Sequence, residues 1–179
     1  MITPPTTLPI SVAEAKAHLR VTVDDDDALI EGYIRAALAH AEMMTGRAFV
    51  EQTWEFVVDA FPTVEIGPLT PGPVTSAVVI YIDADGFEQT VDANDYELDV
   101  SSAEGWVVPV GAWPSAMETI NAIRVEFTVA PEFIPQDVKH AIYLLVGHFY
   151  NAREAAGAKR DAIPYGVDAL LGLHCRIYI

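Results

Sequence analysis

Five histidines and one cysteine are the side chains here best suited to metal or nucleophilic chemistry, and their spacing decides how far that goes. His140 and His148 are eight residues apart. On a helix they lie near one face but about 12 Å apart, too far to share one zinc ion. No His-Glu-x-x-His occurs, so His18, His40, His140, His148 and His174 read as packed or surface histidines. Asp83-Ala84-Asp85-Gly86 alternates carboxylates with a glycine as calcium loops do, but a hairpin turn accounts for it, because Asp-Gly supplies positive φ. Asp24 to Asp27 are contiguous, without the spaced oxygens, turn glycine and distal glutamate of an EF-hand. They read as the capping run of a helix with a solvated face. No Gly-x-Ser-x-Gly elbow occurs, and Cys175, in an apolar stretch, reads as a packing residue. Between Gly67 and Gly72, Pro68 and Pro71 remove the N–H donors a phosphate loop needs. No catalytic, metal or cofactor-binding residue is expected, and no cofactor.

The elements around these groups follow from periodicity. Pro4, Pro5 and Pro9 keep residues 1–10 extended. Ser11-Val12-Ala13-Glu14 is a capping box, and Val12, Ala15 and Leu19 give a short helix ending near Arg20. A second helix is expected from about Asp26 to Thr45, with Ile30, Ile34, Leu38, Ala41 and Met44 on its buried face and Gly46 just past its end. Met43, Met44, Tyr143, Phe149 and Tyr150 read as core or interface residues. The period then becomes two, predicting strands over Phe49–Ala60, Val64–Ile66, Ser76–Ile82, Phe87–Val91, Tyr96–Val100, Gly105–Val110 and Ala122–Val129. Pro135 opens a strongly apolar helix from about Gln136 to Ala155, and Gly157 is its expected stop. Arg153 reads as a helix-end charge or a partner-facing residue. Helices, then antiparallel strands, then a helix is an α+β order. The expected architecture is a small helical bundle with an antiparallel β-rich insertion and an extended C-terminal arm. Residues 1–160 form a body, with helices over 11–45 and 136–155 and the insertion over 49–130, and residues 161–179 form a docking arm.

The chain has 179 residues, 51% of them apolar, enough for a core without staples. With one cysteine it forms no internal disulfide. No apolar run reaches the ~18 residues of a membrane span, and the first residues lack the basic and apolar regions of a secretory signal. The net charge is −16, which opposes a basic nucleic-acid groove. Residues 153–179 carry four bases and three acids, so the remainder is −17. The segment closes on Arg176-Ile177-Tyr178-Ile179, a strand-like apolar run that has to pair or be buried.

Taken together, these motifs come in a telling order. Ser11 to Arg20, the Asp-rich break, and Thr45-Gly46-Arg47 before Gln52-Thr53-Trp54 come first. Pro73-Val74, Val79 to Gly86, Tyr96, Trp113-Pro114 and Arg124 to Val129 follow, and Ile134-Pro135, His148 to Glu154, Ile163 to Val167 and Leu170-Leu171 close the series. The series resembles the head–tail connector, or adaptor, proteins of long-tailed bacteriophages and related prophage or gene-transfer particles. The resemblance implies a non-enzymatic structural protein forming a homo-oligomeric ring, typically a dodecamer. Such a ring joins the portal protein to the next neck or tail component (the stopper), and DNA passes through it without specific binding. It implies a place in the neck of a virion or phage-like particle assembled in the bacterial host cytoplasm, with no membrane. It also implies that the C-terminal segment reaches the portal, which makes Arg153, Tyr165, Leu170, Leu171, Leu173, Arg176, Ile177, Tyr178 and Ile179 the expected partner interface. Leu173-His174-Cys175-Arg176 departs from the family, which carries a proline near the arginine. Two expectations follow from physics: an acidic channel wall on which DNA slides, and ordering of Leu170 to Ile179 only on docking. The alternatives are another neck or tail-tube protein and a small hydrolase using a histidine with Asp83 or Asp85.

Overall fold

The computed structural model describes residues 1–102, 104–152 and 165–175. Its elements are α1 (Val12–Leu19), α2 (Asp27–Thr45), β1 (Gln52–Val58), β2 (Ile66–Leu69), β3 (Val74–Ile82), β4 (Glu88–Thr90), β5 (Tyr96–Asp99), β6 (Gly105–Pro109), β7 (Ile123–Val129), α3 (Gln136–Asn151) and α4 (Tyr165–Gly172). The α+β class expected from the sequence is what the chain adopts. Two compact units result, one of Met1–Thr6 with Glu51–Pro131, the other of Thr7–Val50 with Glu132–Ile179.

The second unit is helical. Ser11 caps α1 by a full capping box: its hydroxyl accepts from Glu14 N, while the Glu14 carboxylate accepts from Ser11 N at 2.7 Å. Arg20 ends the helix in the left-handed region, φ 59°. Gly46 ends α2 in the same way, φ 66°, a conformation that costs glycine nothing. The stripe Ile30, Ile34, Ala37, Leu38 and Ala41 of α2 meets Val138, Ala141, Ile142, Leu145 and Val146 of α3, all buried. Each large side chain so covered contributes roughly 1.5–3 kcal/mol.

The aspartate run does not cap α2 in the way its position suggests. Asp26 occupies the N-cap without a side-chain capping bond; instead its carboxylate accepts from the Tyr150 hydroxyl. Lys16 Nζ reaches both Asp24 Oδ1 and Asp27 Oδ1 at 2.6 Å. Bonding to Asp24 and then Asp27 raises the Lys16 pKa, and the ammonium lowers that of Asp24. Lys16 of α1 thus holds the aspartates on either side of a cap position whose own carboxylate serves Tyr150.

The other unit holds the strands. A four-stranded antiparallel sheet runs β1-β7-β3-β4 and a three-stranded one β2-β6-β5. In β7, Ile123, Val125, Phe127 and Val129 are buried while Arg124, Glu126 and Thr128 alternate onto the other face. The edge of β1 is covered by the extended N-terminal segment, where Ile2 N donates to Thr53 O at 2.8 Å. Asp83 to Gly86 form the β3–β4 turn as expected, with Gly86 at φ 85°. The second strand falls on 66–69, not 64–66, and runs through Pro68; β2 pairs only with β6, and an edge strand tolerates a missing N–H. Phe49 and Val50, expected in the first strand, are instead buried in the helical core. There Phe49 N donates to Glu42 Oε1 at 2.9 Å.

Part of the expected extended arm, Tyr165–Gly172, is helical. Its Val167 and Leu171 are fully buried and Leu170 packs on the core cluster, so a helix four residues apart in phase replaces an arm. Leu170 to Cys175 are therefore placed on the chain's own fold, and the expectation that ordering there waits for a partner is corrected for these six residues.

Candidate functional site

The C-terminal segment is tied down at three points within the helical unit. Leu171 is buried at 0% exposure. One turn on, His174 Nε2 lies 2.7 Å from Asp137 Oδ2 in the first turn of α3, and the imidazole meets Phe49 edge-on, ring centroids 6.5 Å apart. Cys175 Sγ then donates to Met44 O at 3.3 Å. The His174 hydrogen bond is the main cause that holds the Asp137 carboxyl below the usual range; the Val138 N–H adds to it.

This juxtaposition of cysteine, histidine and aspartate raises the question of a catalytic triad. The geometry answers it. The thiol donates to the backbone carbonyls of Met44 and Leu171, and the bond His174 makes is to Asp137. A nucleophile needs its base within hydrogen-bond reach; these groups hold the segment in place. Asp83, named in the hydrolase alternative, accepts from Asp85 N, Phe87 N and Gln89 Nε2 and is a turn residue. The open groove of about 590 Å³ beside α1 has Lys16, Asp24 and Asp27 as its charged lining, already joined to one another. Among the described residues no three ligating side chains converge on a metal-sized site.

Of the interface residues expected from sequence, Leu173 is open to solvent at 77% exposure. Leu170 is half-buried, Leu171 lies wholly inside its own unit, and Tyr165 opens α4. Arg153 and Arg176, Ile177, Tyr178 and Ile179 lie outside the described residues. Sequence reasoning missed Asp137 as a partner of His174 and missed α4. The spacing of Val167, Leu170 and Leu171 carried a signal for that helix.

The strand unit contributes charge. Over 1–6 and 51–131 there are 14 acidic residues and a single base, Arg124. That base is already engaged: Arg124 Nη2 is 3.2 Å from Glu88, and its Nε is 3.3 Å from Glu126 and 3.4 Å from Glu55. Turn aspartates stay ionised because backbone amides hold them. Asp83 is lowered chiefly by Phe87 N–H, Asp92 by Asn94 N–H and Asp99 by Ser101 N–H. The unit therefore presents a negative surface with its one cation neutralised.

With this geometry in hand, the comparisons bear on its use. Residues 9–93 match the family model described as phage gp6-like head-tail connector protein. Among curated proteins none matches. Solved chains do. One, from the neck of an empty gene transfer agent particle computed with C6 symmetry, has a TM-score of 0.78 at 25% identity. Another, from the virion of a native gene transfer agent particle, scores 0.77 at 25%. A third, from the neck of a native particle computed with C12 symmetry, scores 0.72 at 26%. Each alignment covers 100% of this chain and 97% of the other.

Proposed function

We propose that the chain is a head–tail connector, a neck subunit whose copies close into a twelve-fold ring between a portal protein and the next neck component. The chain is a structural protein of an oligomeric ring in a particle. The observation that carries this reading is the end-to-end likeness to neck chains. Its place is the neck of a phage or gene-transfer particle.

Two features support the finer reading. The root of the C-terminal segment is anchored by Leu171 and His174, which suits a reading in which Arg176-Ile177-Tyr178-Ile179, outside the described residues, meet the portal. In this reading Leu173 and those four residues make the contact, with Arg153 and Tyr165 beside them, and Leu170 and Leu171 anchor its base. The acidic strand unit repels phosphate, which suits a conduit through which DNA slides without specific binding.

The test is the mass of the purified chain, alone and mixed with the matching portal protein, by light scattering. A ring-sized species or a stoichiometric portal complex is expected. A chain that stays monomeric and ignores the portal overturns the reading. Deleting residues 176–179 is expected to leave the fold and thermal transition unchanged while abolishing portal attachment.

A further inference from the structure

Helix α2 is apolar on both sides. Its inner stripe is buried against α3 and α4, while its outer side carries Leu29, Gly32, Ala36, Ala39 and Met43, all exposed. Their spacing of three, four, three and four is the heptad seam of helices that pack on one another, and it runs about 21 Å along the helix. Leu29 is 40% and Met43 76% exposed. Glu31, Arg35 and Glu42 separate the two stripes on one side, so the outer seam is a second apolar stripe, exposed in the single chain.

We propose that this outer face of α2 is the ring interface, and that its occupant is a different patch of a second copy of the chain, centred on Phe133 and Leu173. This rests on the ring reading above. Cyclic rings beyond two-fold need a heterologous contact, in which one patch meets another patch of the neighbour. The two patches of the helical unit complement each other in shape. The centre of the α2 seam is Gly32, Ala36 and Ala39, small side chains that leave a shallow groove. Among the described residues of the unit, Phe133 and Leu173 are the two most exposed bulky apolar side chains besides Met43, at 71% and 77%. They belong to one end of the unit: Leu173 adjoins His174, which bonds Asp137, four residues beyond Phe133. Bulky side chains entering a small-residue groove exclude water from both.

Gly32→Leu separates this from a structural role. A Cβ at Gly32 meets nothing within 4 Å, and leucine is the better helix former. The variant is expected to melt at or above the wild-type temperature yet to lose the ring-sized species by light scattering, alone or with portal protein. In a Cys175→Ser background, mixed Ala36→Cys and Phe133→Cys chains are expected to oxidise to a cross-linked dimer, and Ala36→Cys chains by themselves to remain uncross-linked. A Gly32→Leu chain that still forms rings, or efficient cross-linking between two Ala36→Cys chains, overturns the proposed contact and leaves the connector reading intact. A wild-type chain that forms no ring in either condition overturns that reading and this interface with it.

Discussion

Tyr150, near the end of α3, donates its hydroxyl to the Asp26 carboxylate at 2.6 Å across 124 residues of sequence. The bond pins the last turn of α3 to the first turn of α2 and gives the aspartate run a structural use that its composition does not suggest. Hydrogen bonds to charged acceptors are worth about 1.5–3 kcal/mol, less where solvent reaches them. Tyr150→Phe is expected to cost about 1 kcal/mol in urea unfolding with the slope unchanged. No loss of stability would show that water or a neighbour serves Asp26 equally well.

Leu171 and Leu173 sit two residues apart with opposite surroundings. Leu171→Ala removes a fully buried side chain and is expected to cost about 2–5 kcal/mol. Leu173→Ala is expected to change stability by less than about 0.5 kcal/mol while weakening assembly in light scattering. Equal stability losses in the two variants would mean that Leu173 is core.

Acid should loosen the His174 clamp in a defined window. Asp137 has its folded pKa depressed, first by the His174 bond. Its contribution is therefore complete above the unfolded value of about 3.9 and is lost as pH falls through the depressed folded value. Asp137→Asn is expected to be about 1 kcal/mol less stable than the parent near pH 5, with the gap closing below about pH 4. A gap that does not shrink at all as the pH falls below about 4 would assign the loss to packing.

In the strand unit, Gly105 opens β6 against Val74. A Cβ there would lie 2.8 Å from Val74 Cγ2 and 2.9 Å from its Cβ. The second of these atoms cannot swing aside. Gly105→Ala is expected to cost about 1–3 kcal/mol by overpacking, seen as a lower thermal midpoint. Combined with Val74→Gly, which removes that Cβ, it is expected to cost less than the sum of the two single changes, and simple additivity would refute the contact.

How far the sequence carried this picture follows the range of the forces involved. The capping box, the Ile30–Ile34–Leu38–Ala41 stripe and the Gly46 stop are local, and they were legible. So were the hairpins β3–β4 and β5–β6, joined by short turns. The central place of β7 between β1 and β3 was not, because its register Phe127 to Trp54 and Ala77 is set by burial across 50 to 70 residues. The candidate site divides in the same way. Leu173 was legible as an exposed apolar residue. The His174–Asp137 bond joins two elements whose separation no period encodes. Helix α4 is only two turns long, too short for its pattern to outweigh the strand-like residues that follow it.

The division of the helical unit into 7–50 and 132–179 has a consequence during synthesis. When α2 leaves the ribosome, its buried stripe has no cover until α3 and α4 follow, some hundred residues later. The strands between them can pair as soon as β7 emerges. Translation order thus makes the helical core the later half to close. Of the two patches proposed to meet in a ring, the outer face of α2 is made before the strands, while Phe133 and Leu173 follow only when the strand half is already built.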